Sequence, residues 1–141
     1  MQLGPYEIAL IAGVFTIAGV LVGSFVTYRL GLHLASVNAR RDAGRRLREA
    51  FAPELAALHP VTGAKDLNVE GLLQASWPKH HTAVSELAFH LPKEQRAGLE
   101  AAWREYYEVG GSIQFFDYYM GDNPRQKFRE RVSAILRFTQ I

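Results

Sequence analysis

The chain has 141 residues, a formal net charge of +2 and no cysteine. The missing thiols exclude disulfides, thiolate metal sites and a cysteine nucleophile, and they fit a reducing compartment. Setting aside an apolar start leaves about 110 residues, enough for one small domain with a single core.

The charges fall in blocks. Residues 1–28 hold only Glu7; residues 29–51 hold six arginines against Asp42 and Glu49; residues 52–122 hold ten acids against five bases. Residues 123–141 are basic again, with five cations against Glu130. This basic, acidic, basic order says more than the total.

The first element is Ile8 to Tyr28, IALIAGVFTIAGVLVGSFVTY, which contains no charged residue. As a helix it is about 31 Å long, enough for a bilayer core of about 30 Å. Tyr6 and Tyr28 bracket it as aromatics do at membrane interfaces, and Arg29 follows with a stem that can snorkel. Residues 1–7 are expected to form a short external N-terminus and residues 8–28 a transmembrane helix. The leader MQLGPYE has no Lys or Arg and the apolar run is long for a signal peptide, so an uncleaved anchor is expected. All basic residues lie after the span, so residues 29–141 are expected in the cytoplasm and the N-terminus outside.

Within the span, Ala9, Ala12, Thr16, Gly19, Gly23 and Thr27 recur three or four residues apart and form a stripe of small side chains. Gly19 and Gly23 make a G-x-x-x-G. In lipid such a stripe lets backbones approach, so Ala12, Thr16, Gly19, Gly23 and Thr27 are candidate packing residues toward other transmembrane helices, in a second copy or a larger complex. Glycine is also simply frequent in membrane helices.

Residues 29–58 are expected to continue the helix as a basic juxtamembrane stalk, unbroken to about Ala50, with Pro53 marking a kink or a fresh start. Its cations are Arg29, Arg40, Arg41, Arg45, Arg46 and Arg48. Arg40 lies about 17 Å along a helix from Arg29, beyond a Debye length of about 8 Å, which weakens attraction to anionic lipid. Pairing with an acidic surface, including the chain's own middle block, is an equal expectation.

Residues 59–65 read as a loop, and 66–141 as a small helical cytoplasmic domain. Asp66 is placed to cap a short helix, and Ser76-Trp77-Pro78 to start another reaching about Phe89. Pro92 to Val109 reads as the longest soluble helix, with Leu99, Trp103 and Tyr106 on one face and an Arg96, Glu100, Arg104 ladder on another. Gly110-Gly111 ends it. Asp122-Asn123-Pro124 starts the last helix, whose buried face is Phe128, Val132, Ile135 and Leu136. No strand alternation stands out. The expected fold is all-α: one N-terminal transmembrane helix, a cytoplasmic stalk and a small helical bundle.

Chemistry is harder to find. His81, Glu86 and His90 lack the spacing of helical metal sites, His80 and His81 point in different directions on a helix, and a surface or cap position is the simpler reading for each histidine. Glu105 and Glu108 are a routine helix-surface pair. No nucleophile elbow, P-loop or dinucleotide fingerprint occurs. No catalytic residue, metal or cofactor is expected. The aromatics Tyr107, Phe115, Phe116, Tyr118 and Tyr119 form a candidate partner surface, since a small core has no room for them all. Their acidic neighbours argue against nucleic acid.

Three pieces, REAFAPELAAL (48–58), HLPKEQRAGLEAAWREYY (90–107) and NPRQKFRERVSAILRF (123–138), with the uncharged leader, carry a resemblance. The chain resembles uncharacterised, phage-like, short single-span proteins of bacterial inner membranes, which implies that location and no activity. The expected function is a non-enzymatic, membrane-anchored accessory or scaffold subunit. Its partners would be the bilayer, other transmembrane helices and a cytoplasmic protein. The alternative is a phage-like, membrane-permeabilising or lysis-related protein that oligomerises through its span.

Overall fold

The computed structural model describes residues 4–63, 66–109, 112–113, 115 and 123–140. Among them the protein is all-α apart from one minimal strand pair. Helix α1 is Pro5–Ala57, α2 Val69–His90, α3 Lys93–Tyr107 and α4 Pro124–Leu136, with a 3-10 turn at Arg137–Thr139. Between α3 and α4, β1 (Glu108–Val109) pairs antiparallel with β2 (Ser112–Ile113), Glu108 opposite Ile113. Gly110 and Gly111, the expected helix stop, lie outside the described residues; α3 ends at Tyr107.

The chain divides into two compact units, Met1–Asn38 and Ala39–Ile141. In the first, Pro5 opens α1 and Gly4 N–H donates to the Glu7 carboxylate at 2.9 Å, which sets negative charge at the positive end of the helix dipole. From Pro5 to Ser36 every described side chain is exposed. One helix among the described residues is long and apolar enough to cross a membrane, and none of its most apolar 18-residue window is buried.

The second unit begins at Ala39, inside the segment expected to be a stalk. Ala43, Leu47, Ala50, Phe51 and Leu58 are buried, so this part of α1 is a core element rather than a solvated rod. The helix passes both Ala50 and Pro53. Pro53 is exposed, so its ring meets water and one ladder bond is lost, while the apolar stripe behind it keeps the helix in place.

The same physics corrects the expected start at Pro78. Helix α2 is one element of 22 residues, capped by Asn68, whose Oδ1 accepts from Gly71 N–H at 3.0 Å; Asp66 is not the cap. Pro78 is exposed on the outer side of α2, and Leu73, Ala83, Val84 and Leu87 are buried on the inner side. At 22 residues against 15, α2 and not α3 is the longest helix that starts after α1.

Leu99, Trp103 and Tyr106 share the buried face of α3, as their spacing predicts, and Phe128, Val132 and Ile135 that of α4, with Leu136 partly buried. Arg96 makes no ladder pair. Its guanidinium donates to the carbonyls of Ala88 at 2.9 Å and Leu91 at 3.4 Å, and so satisfies the open end of α2. Asn123 starts α4 in the left-handed region at φ 61°, which asparagine tolerates better than most residues.

Two glycines receive the final turn. A Cβ on Gly44 would lie 3.3 Å from Thr139 Cβ, and one on Gly98 would lie 3.0 Å from Phe138 Cζ. The turn packs against α1 and α3 because neither position carries a side chain.

Candidate functional site

Among the described residues the densest chemistry is a polar centre around Glu54 that links α1, α2 and α3. Glu54 sits on the buried stripe of α1, three residues after Phe51 and four before Leu58. Ser76 Oγ donates to its Oε1 at 2.6 Å, and Lys79 Nζ donates at 2.9 Å to Oε1 and 3.2 Å to Oε2. His80 Nε2 is 3.1 Å from Oε2 and 3.2 Å from the Ala50 carbonyl. On the other edge of the ring, His80 Nδ1 is 3.2 Å from the Tyr106 hydroxyl. Phe51 stacks on the imidazole at 4.0 Å between centroids.

Electrostatics assign the protons. Burial pushes the Glu54 carboxyl up, but hydrogen bonds from Ser76, Lys79 and His80 outweigh it and hold it at about 2. Burial lowers the pKa of His80, opposed by the Glu54 charge, so the ring is neutral. Burial, and behind it the Glu54 charge, raises that of Tyr106. The consistent arrangement is a Tyr106 hydroxyl donating to His80 Nδ1, and His80 Nε2–H donating to Glu54 and Ala50. Such a chain can hold a proton in one place, and it closes three helices over a satisfied buried carboxylate. Lys79, half exposed, covers the carboxylate from the solvent side.

His80 was expected at the surface or at a cap and is instead fully buried. Its position is periodic with Leu73, Ser76, Ala83, Val84 and Leu87, and Glu54 falls between two apolar stripe positions. An ionisable residue on an apolar stripe, once in each of two helices, is the signal that finds this pair. His81 is exposed and stacks on Trp77 at 4.9 Å, and Glu86 binds Arg46. Among the described residues no group of three or more His, Asp or Glu side chains is placed to hold a metal ion.

The small-residue stripe stays on one exposed helix. Thr16 Oγ1 donates to the Ala12 carbonyl at 2.8 Å and Thr27 Oγ1 to the Gly23 carbonyl at 2.9 Å. A Cβ at Gly19 or Gly23 would meet nothing within 4 Å.

The arginines separate into different tasks. Arg29 lies over the Phe25 ring at 5.2 Å. Arg46 pairs with Glu86 of the chain's own middle block at 2.9 Å, whereas Arg40 bonds the neutral Gln95 at 2.5 Å. Arg45 pairs with Glu49 at 2.9 Å and Asp42 at 3.8 Å, both on its own helix. Arg48 donates to the Thr139 hydroxyl at 3.3 Å. Arg41 lines a groove with Arg45, Arg48 and Thr139.

Of the aromatics, Phe115 is 2% exposed and belongs to the core; its place on a partner surface is corrected by its edge contact with Tyr106 at 5.7 Å. Tyr107 is half-buried beside Trp77 and Trp103. Phe116, Tyr118 and Tyr119 lie outside the described residues. Among the described residues Trp77, His81 and Tyr107 form an aromatic rim over the buried Trp103.

Set against protein-family models, curated proteins and solved structures, the chain matches none of them. The fold itself defines a class: an all-α chain in which one exposed, apolar helix has the length to span a membrane.

Proposed function

We propose that this protein is a membrane-anchored accessory or scaffold subunit. The first part of α1 crosses the bacterial inner membrane, and the unit from Ala39 onward docks a protein partner in the cytoplasm. One observation carries the reading. From Pro5 to Ser36 an apolar helix exposes every described side chain, including Phe15 at 73% and Leu10 at 71%, and the same helix supplies core residues to a folded unit. Water does not tolerate an uncovered surface of that extent, and lipid is the solvent that suits it. Orientation follows from the arginines that come only after the span. The rim of Trp77, His81 and Tyr107 has the amphipathic aromatic character of protein contacts.

The lysis-type alternative finds less support. The Thr16 and Thr27 hydroxyls are bonded back onto their own helix, so the span brings little unspent polarity to a lumen. The deciding experiment is purification of the full chain from membranes in mild detergent, followed by mass spectrometry. A stoichiometric protein partner is the expected result. Recovery in the soluble fraction, or loss of membrane potential and growth arrest on expression, goes against the proposal.

A further inference from the structure

The final turn of the chain lies against α1 and leaves a polar groove of about 440 Å³, lined by Arg41, Asp42, Arg45, Arg48, Thr139 and Gln140. The three arginines are four and three residues apart, so they project from one face of α1. Its wall is closed where Thr139 packs on Gly44. Thr139 is buried, and its hydroxyl donates to the Leu136 carbonyl at 2.7 Å, which leaves its oxygen as the acceptor for Arg48 Nη1 at 3.3 Å.

The three cations are unequally satisfied. Arg45 has two carboxylate partners, Glu49 and Asp42. Arg48 has the neutral Thr139 hydroxyl and no carboxylate among the described residues. Arg41 has no hydrogen-bond or ion-pair partner among them. Arg40 and Arg46 are already committed to Gln95 and Glu86. Among the described residues the lining therefore holds three arginines against one aspartate, and Asp42 is turned to Arg45.

We propose that this groove binds a phosphate-bearing anion, with Arg41 and Arg48 as its ligands and Arg45 held in place between its carboxylates. Guanidinium forks match phosphate oxygens and bind them by paired, charge-assisted hydrogen bonds. Arg41 and Arg48 are about 10.5 Å apart along the helix. That separation suits a ligand with oxygens on more than one centre better than a lone carboxylate. The groove lies within Ala39–Ile141 and the inference does not rest on the membrane reading.

The test uses the full chain in nanodiscs of neutral phosphatidylcholine, titrated with inorganic pyrophosphate by calorimetry. Saturable binding is expected, weakened at least about tenfold in Arg41→Gln/Arg48→Gln. Lys93→Gln/Lys127→Gln, which removes as much charge from exposed sites off the groove, should leave it unchanged. Arg41→Gln alone, at an exposed side chain with no partner among the described residues, should give a partial loss with an unaltered circular-dichroism melt. Replacing part of the lipid with phosphatidylglycerol separates the sources. A fall in pyrophosphate affinity identifies lipid headgroups as the phosphate, and an unchanged affinity identifies a soluble anion. No saturable binding, or an equal loss in both double variants, overturns the proposal.

Discussion

At Glu54 two opposed effects meet, burial that disfavours the charge and three donors that hold it. A shift from 4.5 to about 2 corresponds to roughly 3 kcal/mol at neutral pH. The sign follows from which state binds more protons. Glu54 is easier to protonate when unfolded, so its contribution is present above 4.5 and lost as the pH falls from there toward 2. His80 is also easier to protonate when unfolded, so its contribution begins to fall below 6.5. Both lie on the acid side. Thermal melts should therefore show stability dropping from about pH 6.5 downward, and His80→Gln should flatten the first part of that fall. Glu54→Ala, which strands His80, Ser76 and Lys79, should cost about 3–5 kcal/mol. A melt that stays level from neutrality to pH 4 would rule out a neutral His80 bonded to a charged Glu54. Trp103→Ala belongs with these, at about 3–5 kcal/mol for a buried tryptophan. That residue was legible from spacing alone, because Leu99, Trp103 and Tyr106 repeat with the helix. Glu54 and His80 were not, because an acid or a histidine on an apolar stripe reads as an interruption until its partner on another helix is known.

Elements were legible where periodicity was strong and misleading where proline was taken as punctuation. The apolar helix, the buried face of α3 and the start of α4 at Asn123-Pro124 follow from pattern. The continuity of α1 through Pro53 and of α2 through Pro78 does not, since it depends on packing of the opposite face. Pro78→Ala should therefore raise the melting temperature, with up to about 3 kcal/mol to recover in a helix interior. A lower melting temperature would mean that the proline ring itself supports α2. The apolar part of α1 offers a cleaner experiment. Gly19 and Gly23 have open space where a Cβ would go, so Gly19→Ile and Gly23→Ile cost the single helix no clash. Any loss of association in a membrane two-hybrid assay then reports on a neighbouring helix. Val20→Ile and Val22→Ile should do less, and equal effects would reduce the stripe to ordinary glycine content.

For the whole molecule, the unit boundary at Ala39 changes what should fold alone. A fragment of residues 39–141 retains Ala43, Leu47, Ala50, Phe51, Glu54 and Leu58 and should melt cooperatively. One that begins at residue 64 lacks all six and should not, as read by far-UV circular dichroism; equal melts for the two would restore a stalk that contributes nothing to the core. The proposed topology has its own reporter. A phosphatase fused to the C-terminus, active only outside the cytoplasm, should be silent.

The bond from Arg48 to Thr139 joins residues 91 apart, and this has a consequence in time. A ribosome adding about 5–20 residues per second needs roughly 5–20 s to travel that distance. Throughout that interval Gly44 and Arg48 have been made and the Thr139 that meets them has not. The seam between α1 and this turn is thus one that synthesis must wait for, and its two sides exist apart for seconds before they can meet.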